Sequence, residues 1–246
     1  MPEFESRQNI SSAPLLGSEV RPSLWWFLLP LVLAGGWLLP LLVEPKIALS
    51  FVKEDGPFET ASAALFFGAG ILLLVSWSKR RQYANSMGLL LLGLLFIFTS
   101  GEEISWGQRI FNWSTPAGYA NVQGETTIHN HPWFDKQTAG RLSMSHFFEA
   151  FCIGYGFLLP LVERRSALVT MLLQRWGVPL IPLAIGAAFP VNLLLSKLYQ
   201  RMFDAQWILR VSELREWAHA LVWFAIACVL YSAVRRRRAK SPISPV

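Results

Sequence analysis

Charge is scarce in this chain. Of its 246 residues only 15% are Asp, Glu, Lys or Arg, against about 25% in ordinary soluble domains. Cysteine is scarcer still. The two residues, Cys152 and Cys228, both sit inside apolar runs, so they build no disulfide framework and do not reveal a redox compartment. Histidine is limited to four positions. The chain also lacks a Gly-x-Ser-x-Gly elbow, a Walker loop, a His-Glu-x-x-His helix and a dinucleotide fingerprint, so none of those enzyme classes is indicated. No repeat of fixed period and no soluble second domain is visible. Such a composition excludes a disordered chain, a coiled coil and a small disulfide scaffold.

What the chain has is apolar surface: 53% hydrophobic residues, 17 Phe, 11 Trp and a mean hydropathy of +0.37. A bilayer core about 30 Å thick needs about 20 mostly apolar residues per helix. Six stretches qualify: 23–43, 58–77, 87–111, 146–162, 176–195 and 217–234. The expected fold is therefore all-α, a polytopic membrane protein with a single six-helix transmembrane bundle over 23–234. A polar tail (1–22) precedes it and a basic tail (235–246) follows. The first stretch has no basic leader and no small-residue cleavage site, so it reads as a retained anchor. The fifth carries Pro179, Pro182 and Pro190, which kink a membrane helix. A long polar loop, 113–145, separates the third and fourth spans. The segment 201–215 alternates apolar and charged residues, as an interfacial amphipathic helix does; it reads as a lid, a lipid gate or a plain connector.

Six spans put both termini on one side of the membrane. That side holds Arg7, Arg21, Lys79, Arg80, Arg81, Arg164, Arg165, Arg175, Arg235 to Arg238 and Lys240, but among acids only Glu3, Glu5, Glu19 and Glu163. The positive-inside rule makes it the cytoplasm, and the expected location is the bacterial cytoplasmic (inner) membrane. The net charge of +6 thus reflects orientation and contact with anionic lipid heads, not nucleic acid. The loop 113–145 becomes extracytoplasmic.

All four His fall on that outer side. Counted at about 1.5 Å per residue, Glu59, Glu102, Glu103, His146 and His219 lie roughly 24–28 Å up a core about 30 Å thick. Intramembrane ionisable groups are costly and normally face a bundle interior or a wet cavity. Interfacial placement explains Glu44, Lys46, Lys53 and Asp135 equally well, and Glu54 and Asp55 suit the start of a helix. His146 with Glu149, and Glu216 with His219, are i, i+3 pairs on one helix face. The loop adds His129, Asn130 and His131, whose imidazoles share one side of an extended chain. These groups point to a site for a divalent metal, zinc before iron, held by ligands from His129, His146, Glu149, Glu216 and His219. Glu59, Gln123, Glu125 and Asn130 would orient those ligands from behind. Glu102 or Glu103 is the expected general base, since neighbours on a helix diverge by about 100° and only one need face the site. Arg109 would grip a head-group phosphate, with Trp106 and Gln108 lining the substrate; Trp106 also suits the interface without any such role. The leading expectation is a metal-dependent hydrolase of a membrane lipid or lipid-linked substrate. A di-iron carboxylate lipid oxidase is the first alternative. The second is a transporter or a lipid- or partner-binding protein without catalysis.

The segments Glu54-Asp55-Gly56, Gly101-Glu102-Glu103-Ile104-Ser105-Trp106-Gly107-Gln108-Arg109-Ile110-Phe111 and Asn121-Val122-Gln123-Gly124-Glu125 with His129-Asn130 resemble those of an uncharacterised group of bacterial multi-pass membrane proteins. The resemblance spans residues 54–131 and implies location and class, not a reaction. In kind rather than in motif, the chain is also similar to membrane-embedded zinc hydrolases of the alkaline ceramidase type. That likeness implies no ligand residue by residue.

Overall fold

Runs of Leu, Phe, Ala and Gly without interior charge leave the backbone no partner but itself, and they wind into helices. The computed structural model describes residues 25–53, 56–80, 86–119, 124, 126–128, 131, 143–202 and 211–240. Helix α1 (Trp25–Leu42) carries Pro30 and Pro40, and the short α2 (Pro45–Phe51) starts on a proline, whose fixed φ suits a first turn. Helix α3 (Pro57–Arg80) has Glu59 in its first turn and Lys79 and Arg80 in its last, each complementing the helix dipole. Helix α4 (Met87–Glu103) leads through a tight turn at Ser105–Gly107 into the one-turn α5 (Gln108–Phe111). Then come α6 (Met144–Glu163), α7 (Ala167–Trp176), α8 (Leu183–Gly186), α9 (Ala188–Met202) and α10 (Val211–Lys240). No strand occurs among the described residues.

Among the described residues, three helices are long and apolar enough to cross a membrane: Pro57–Arg80, Met144–Glu163 and Val211–Arg237. The apolar stretch Leu28–Leu42 is shorter, and α4 has 17 residues. The described part of the chain is thus all-helical, with helices suited to association with a membrane. Helix α10 is the hub. Helices α1, α3 and α9 pack on it, and α4 packs on α3. Its Trp223 lies fully buried among aromatic rings, 4.9 Å from Phe96 and 5.0 Å from Phe189 between centroids. Such tilted ring pairs contribute beyond the area they bury.

Helix α6 is not uniform. A π turn occupies Gly154–Leu158, just ahead of Pro160. Proline has no N–H to give the carbonyl four residues earlier, and a wider turn re-registers the ladder there. The carbonyl in question belongs to Gly156. Helix α8 approaches so closely that a Cβ on Gly186 would stand 2.0 Å from that oxygen. Glycine at 186 is a requirement of packing.

The helix boundaries depart from the sequence expectation in three places. The third span stops at Glu103 instead of reaching 111, because Ser105, Trp106 and Gly107 take φ of +48°, +54° and +83°. A right-handed helix cannot pass through three left-handed residues. The fifth span, expected as one helix over 176–195, is broken. Helix α7 ends on Gly177 at φ +60°, with Gly177 N donating to the Gln174 carbonyl and Val178 N to that of Leu173. Residues 178–182 are not helical, and Pro179 and Pro182 remove two of their donors. Helices α8 and α9 follow. The sixth helix starts at Val211, ahead of 217, so it absorbs the end of the expected interfacial segment, whose middle lies outside the described residues. The expected tail 1–22 also lies outside them.

Candidate functional site

A buried cluster of ionisable groups lies where α6, α9 and α10 meet. Glu149 of α6 and Arg215 of α10 form an ion pair, Oε1 to Nη1 at 2.6 Å, with both side chains largely buried. The pair is close but not aligned: Glu149 Oε1 and Arg215 Nε each lack a well-directed hydrogen bond. It is therefore a short Coulombic contact rather than a two-pronged fork. One turn after Arg215 comes His219, only 1% exposed. Phe148 meets its ring edge-on at 6.2 Å, and Phe189 packs at 5.6 Å. Its Nε2 has no partner among the described residues. A buried polar atom left without one costs free energy, so a ligand that supplied it would gain by doing so.

Asn192 of α9, 2% exposed, joins this cluster to α1. Its Oδ1 accepts from Trp37 Nε1 at 2.9 Å, and its Nδ2 donates to the Arg215 carbonyl at 3.0 Å. The Tyr199 hydroxyl donates to the Trp37 carbonyl. Ser196 Oγ, one turn beyond Asn192, is buried without a partner. Positions 192, 196 and 199 fall on one face of α9, which is why a single helix supplies all three. The cluster still offers the Arg215 Nε donor and the His219 nitrogen. Such a set can hold an anionic or hydrogen-bonding group. A divalent cation would meet the Arg215 guanidinium, and like charges repel strongly where water is excluded.

A second polar assembly closes the far end of α4. Glu102, 7% exposed, accepts from Trp106 Nε1 at 2.6 Å through one oxygen and from the Ile128 backbone N–H at 2.7 Å through the other. Gln108 Oε1 accepts from Thr126 N at 2.7 Å, and its Nε2 donates to Thr115 Oγ1 and to the Gly124 carbonyl. Thr115 Oγ1 also donates to Gly124 at 2.5 Å, and the Tyr119 hydroxyl to the Thr127 carbonyl at 2.8 Å. Burial first, and the Glu102 carboxylate second, push the Tyr119 phenol above its ordinary value. Glu102 and Gln108 therefore tie the polar loop onto the helix end. Each left-handed non-glycine residue costs roughly 1–2 kcal/mol, and the indole bond to Glu102 helps hold Trp106 in that conformation.

The remaining expected residues are distributed as follows. Glu103 and Glu59 are half-buried, each with interactions of its own. His146 is exposed and caps its own helix: Nδ1 lies 2.8 Å from Ser143 Oγ and accepts from Ser143 N at 3.3 Å. Glu216 is half-buried. Of the five metal ligands expected, Glu149 and His219 belong to the buried cluster, where the facing group is Arg215. Gln123, Glu125, His129 and Asn130 lie outside the described residues, as does the side chain of Arg109. Among the described residues, no three His, Cys, Asp or Glu side chains converge as a metal group. Sequence reasoning missed Arg215 as a buried group and did not single out Trp37, Tyr199 and Ser196. The available signal was Arg215 four residues before His219 at the head of a long apolar helix.

No protein-family model, no curated protein and no solved structure matches this chain.

Proposed function

We propose that the chain is an integral protein of the bacterial cytoplasmic membrane, with six membrane-embedded segments and both termini cytoplasmic. It acts on a lipid or lipid-linked substrate at the Glu149–Arg215–His219 cluster. One observation carries this reading: a buried ion pair beside a buried imidazole whose Nε2 has no partner among the described residues. Ionisable groups inside an apolar bundle are costly, and they mark substrate paths more often than structure. In this reading Arg215 binds the anionic part of the substrate, and Glu149 positions the guanidinium. His219 moves a proton at Nε2 during hydrolysis, a role typically worth about 10²–10⁴-fold in rate.

The test uses the full chain in lipid nanodiscs with extracted bacterial lipids, read by mass spectrometry. Wild type is expected to convert or retain one lipid class, and Arg215→Gln and His219→Gln to lose that effect. If both variants act as wild type does on every lipid offered, the reading is wrong.

A second reading keeps the metal. His219 Nε2 is a donor of suitable type with no partner among the described residues, and the sequence expectation names Glu149 and His129 as further zinc ligands. The guanidinium of Arg215 opposes it. Elemental analysis of protein purified without chelators separates the two. One zinc per chain, absent from His219→Ala and His129→Ala, supports the metal hydrolase; two irons point to the oxidase.

A further inference from the structure

Between α1 and α9 lies an apolar cleft of about 360 Å³, walled by Leu29, Leu33 and Ala34 on one side and, on the other, by Ala188 and Val191 of α9 with Ala184 of α8. We propose that this cleft holds one acyl chain of a bilayer lipid, an inference that rests on the lipid-handling reading above and names where the hydrocarbon tail sits.

Its shape comes from small side chains. The alanines at 34, 184, 187 and 188 leave the depth that larger residues would fill. Its polar lining is confined to Trp37 and Asn192, and these are already engaged: the indole donates to the amide oxygen, and the amide nitrogen to the Arg215 carbonyl. Nothing is offered to a water-soluble polar ligand. The mouth belongs to the surface that the bilayer covers, for Leu31 and Leu194 on the same two helices are 68% and 70% exposed. From Ala184 to Leu195, across α8 and α9, the helical rise is roughly 16 Å, close to half of a hydrocarbon core about 30 Å thick. One leaflet's acyl chain has that length. Asn192 lines the cleft and also links to the backbone of Arg215, so a tail seated here runs past the level of the buried cluster.

The test is photolabelling of the full chain in nanodiscs doped with a phospholipid carrying a mid-chain diazirine, with the adducts mapped by mass spectrometry. Adducts are expected to concentrate on Leu33, Ala188 and Val191. Ala188→Phe, which fills the cleft from α9, is expected to cut them about tenfold while labelling at Leu31 is unchanged. Ala34→Phe fills it from α1 and serves if the first variant does not elute as a single species. Even labelling of all bilayer-facing residues overturns the proposal, as does cleft labelling that survives both fillings, or crosslinks there to a second copy of the chain. Arg215→Gln separates this site from the reading it rests on. If the cleft labels normally and Arg215→Gln leaves lipid turnover intact, the cleft stands and the cluster does not. If the cleft is silent while Arg215→Gln abolishes turnover, only the cleft falls.

Discussion

At the scale of single residues, the Glu149–Arg215 contact sets the clearest expectation. Removing one member strands the other in an apolar interior, which typically costs about 3–5 kcal/mol. Arg215→Met and Glu149→Leu are each expected to lower the thermal midpoint in detergent. The double variant should lose much less than the two losses combined, and full additivity would show that the groups do not interact. Glu102 makes a different point. Glu102→Gln replaces an acceptor of two N–H groups by a side chain that can accept only one of them and turns a donor toward the other, at about 1–3 kcal/mol. Faster amide exchange at Ile128 with unchanged helix content is the expected signature; unchanged exchange would mean that the carboxylate does not hold the loop. The sequence placed Glu102 and Glu103 on diverging directions but could not orient them, because orientation depends on a turn three residues later. His146 shows the same limit. Its spacing to Glu149 pairs them on paper, yet Ser143 at the N-cap takes its Nδ1 for a local bond, and short-range capping needs no tertiary fold.

At the scale of elements, the apolar stretches were readable as helices because a bilayer-length run without charge has few alternatives. The ends of the third, fifth and sixth were not. Nothing at Ser105 or Trp106 announces a left-handed turn; only Gly107 does, and it comes last. The prolines at 179 and 182 did announce a disturbance, but not that it would replace five residues of helix. The close contact of α6 and α8 gives a paired test. Gly186→Ala drives a Cβ into the Gly156 carbonyl, a backbone atom that cannot rotate away, whereas a Cβ at Gly154 meets nothing within 4 Å. Gly186→Ala should lower the thermal midpoint markedly. Gly154→Ala should be neutral or stabilising by about 0.5–1 kcal/mol, since glycine is the poorer helix former. Equal behaviour of the two would contradict the packing described.

At the scale of the whole molecule, α10 is the last of the described helices and the one that α1, α3 and α9 pack against. Its centrality was not legible from sequence, because hydropathy reports how apolar a segment is and not what surrounds it. The positive-inside count does predict a side. Reporter fusions at the C-terminus should be active only for cytoplasmic reporters, and fusions within 113–145 only for exported ones; the reverse pattern would refute the orientation. The ion pair across α6 and α10 also has a consequence for biosynthesis. Ribosomes add about 5–20 residues per second, so Glu149 emerges roughly 3–13 s before Arg215 does. During that interval the α6 carboxylate faces lipid or the insertion machinery with no cation to answer it. Helix α6 cannot settle as a finished span until the final helix arrives, and chains cut short before Arg215 leave it exposed to membrane quality control.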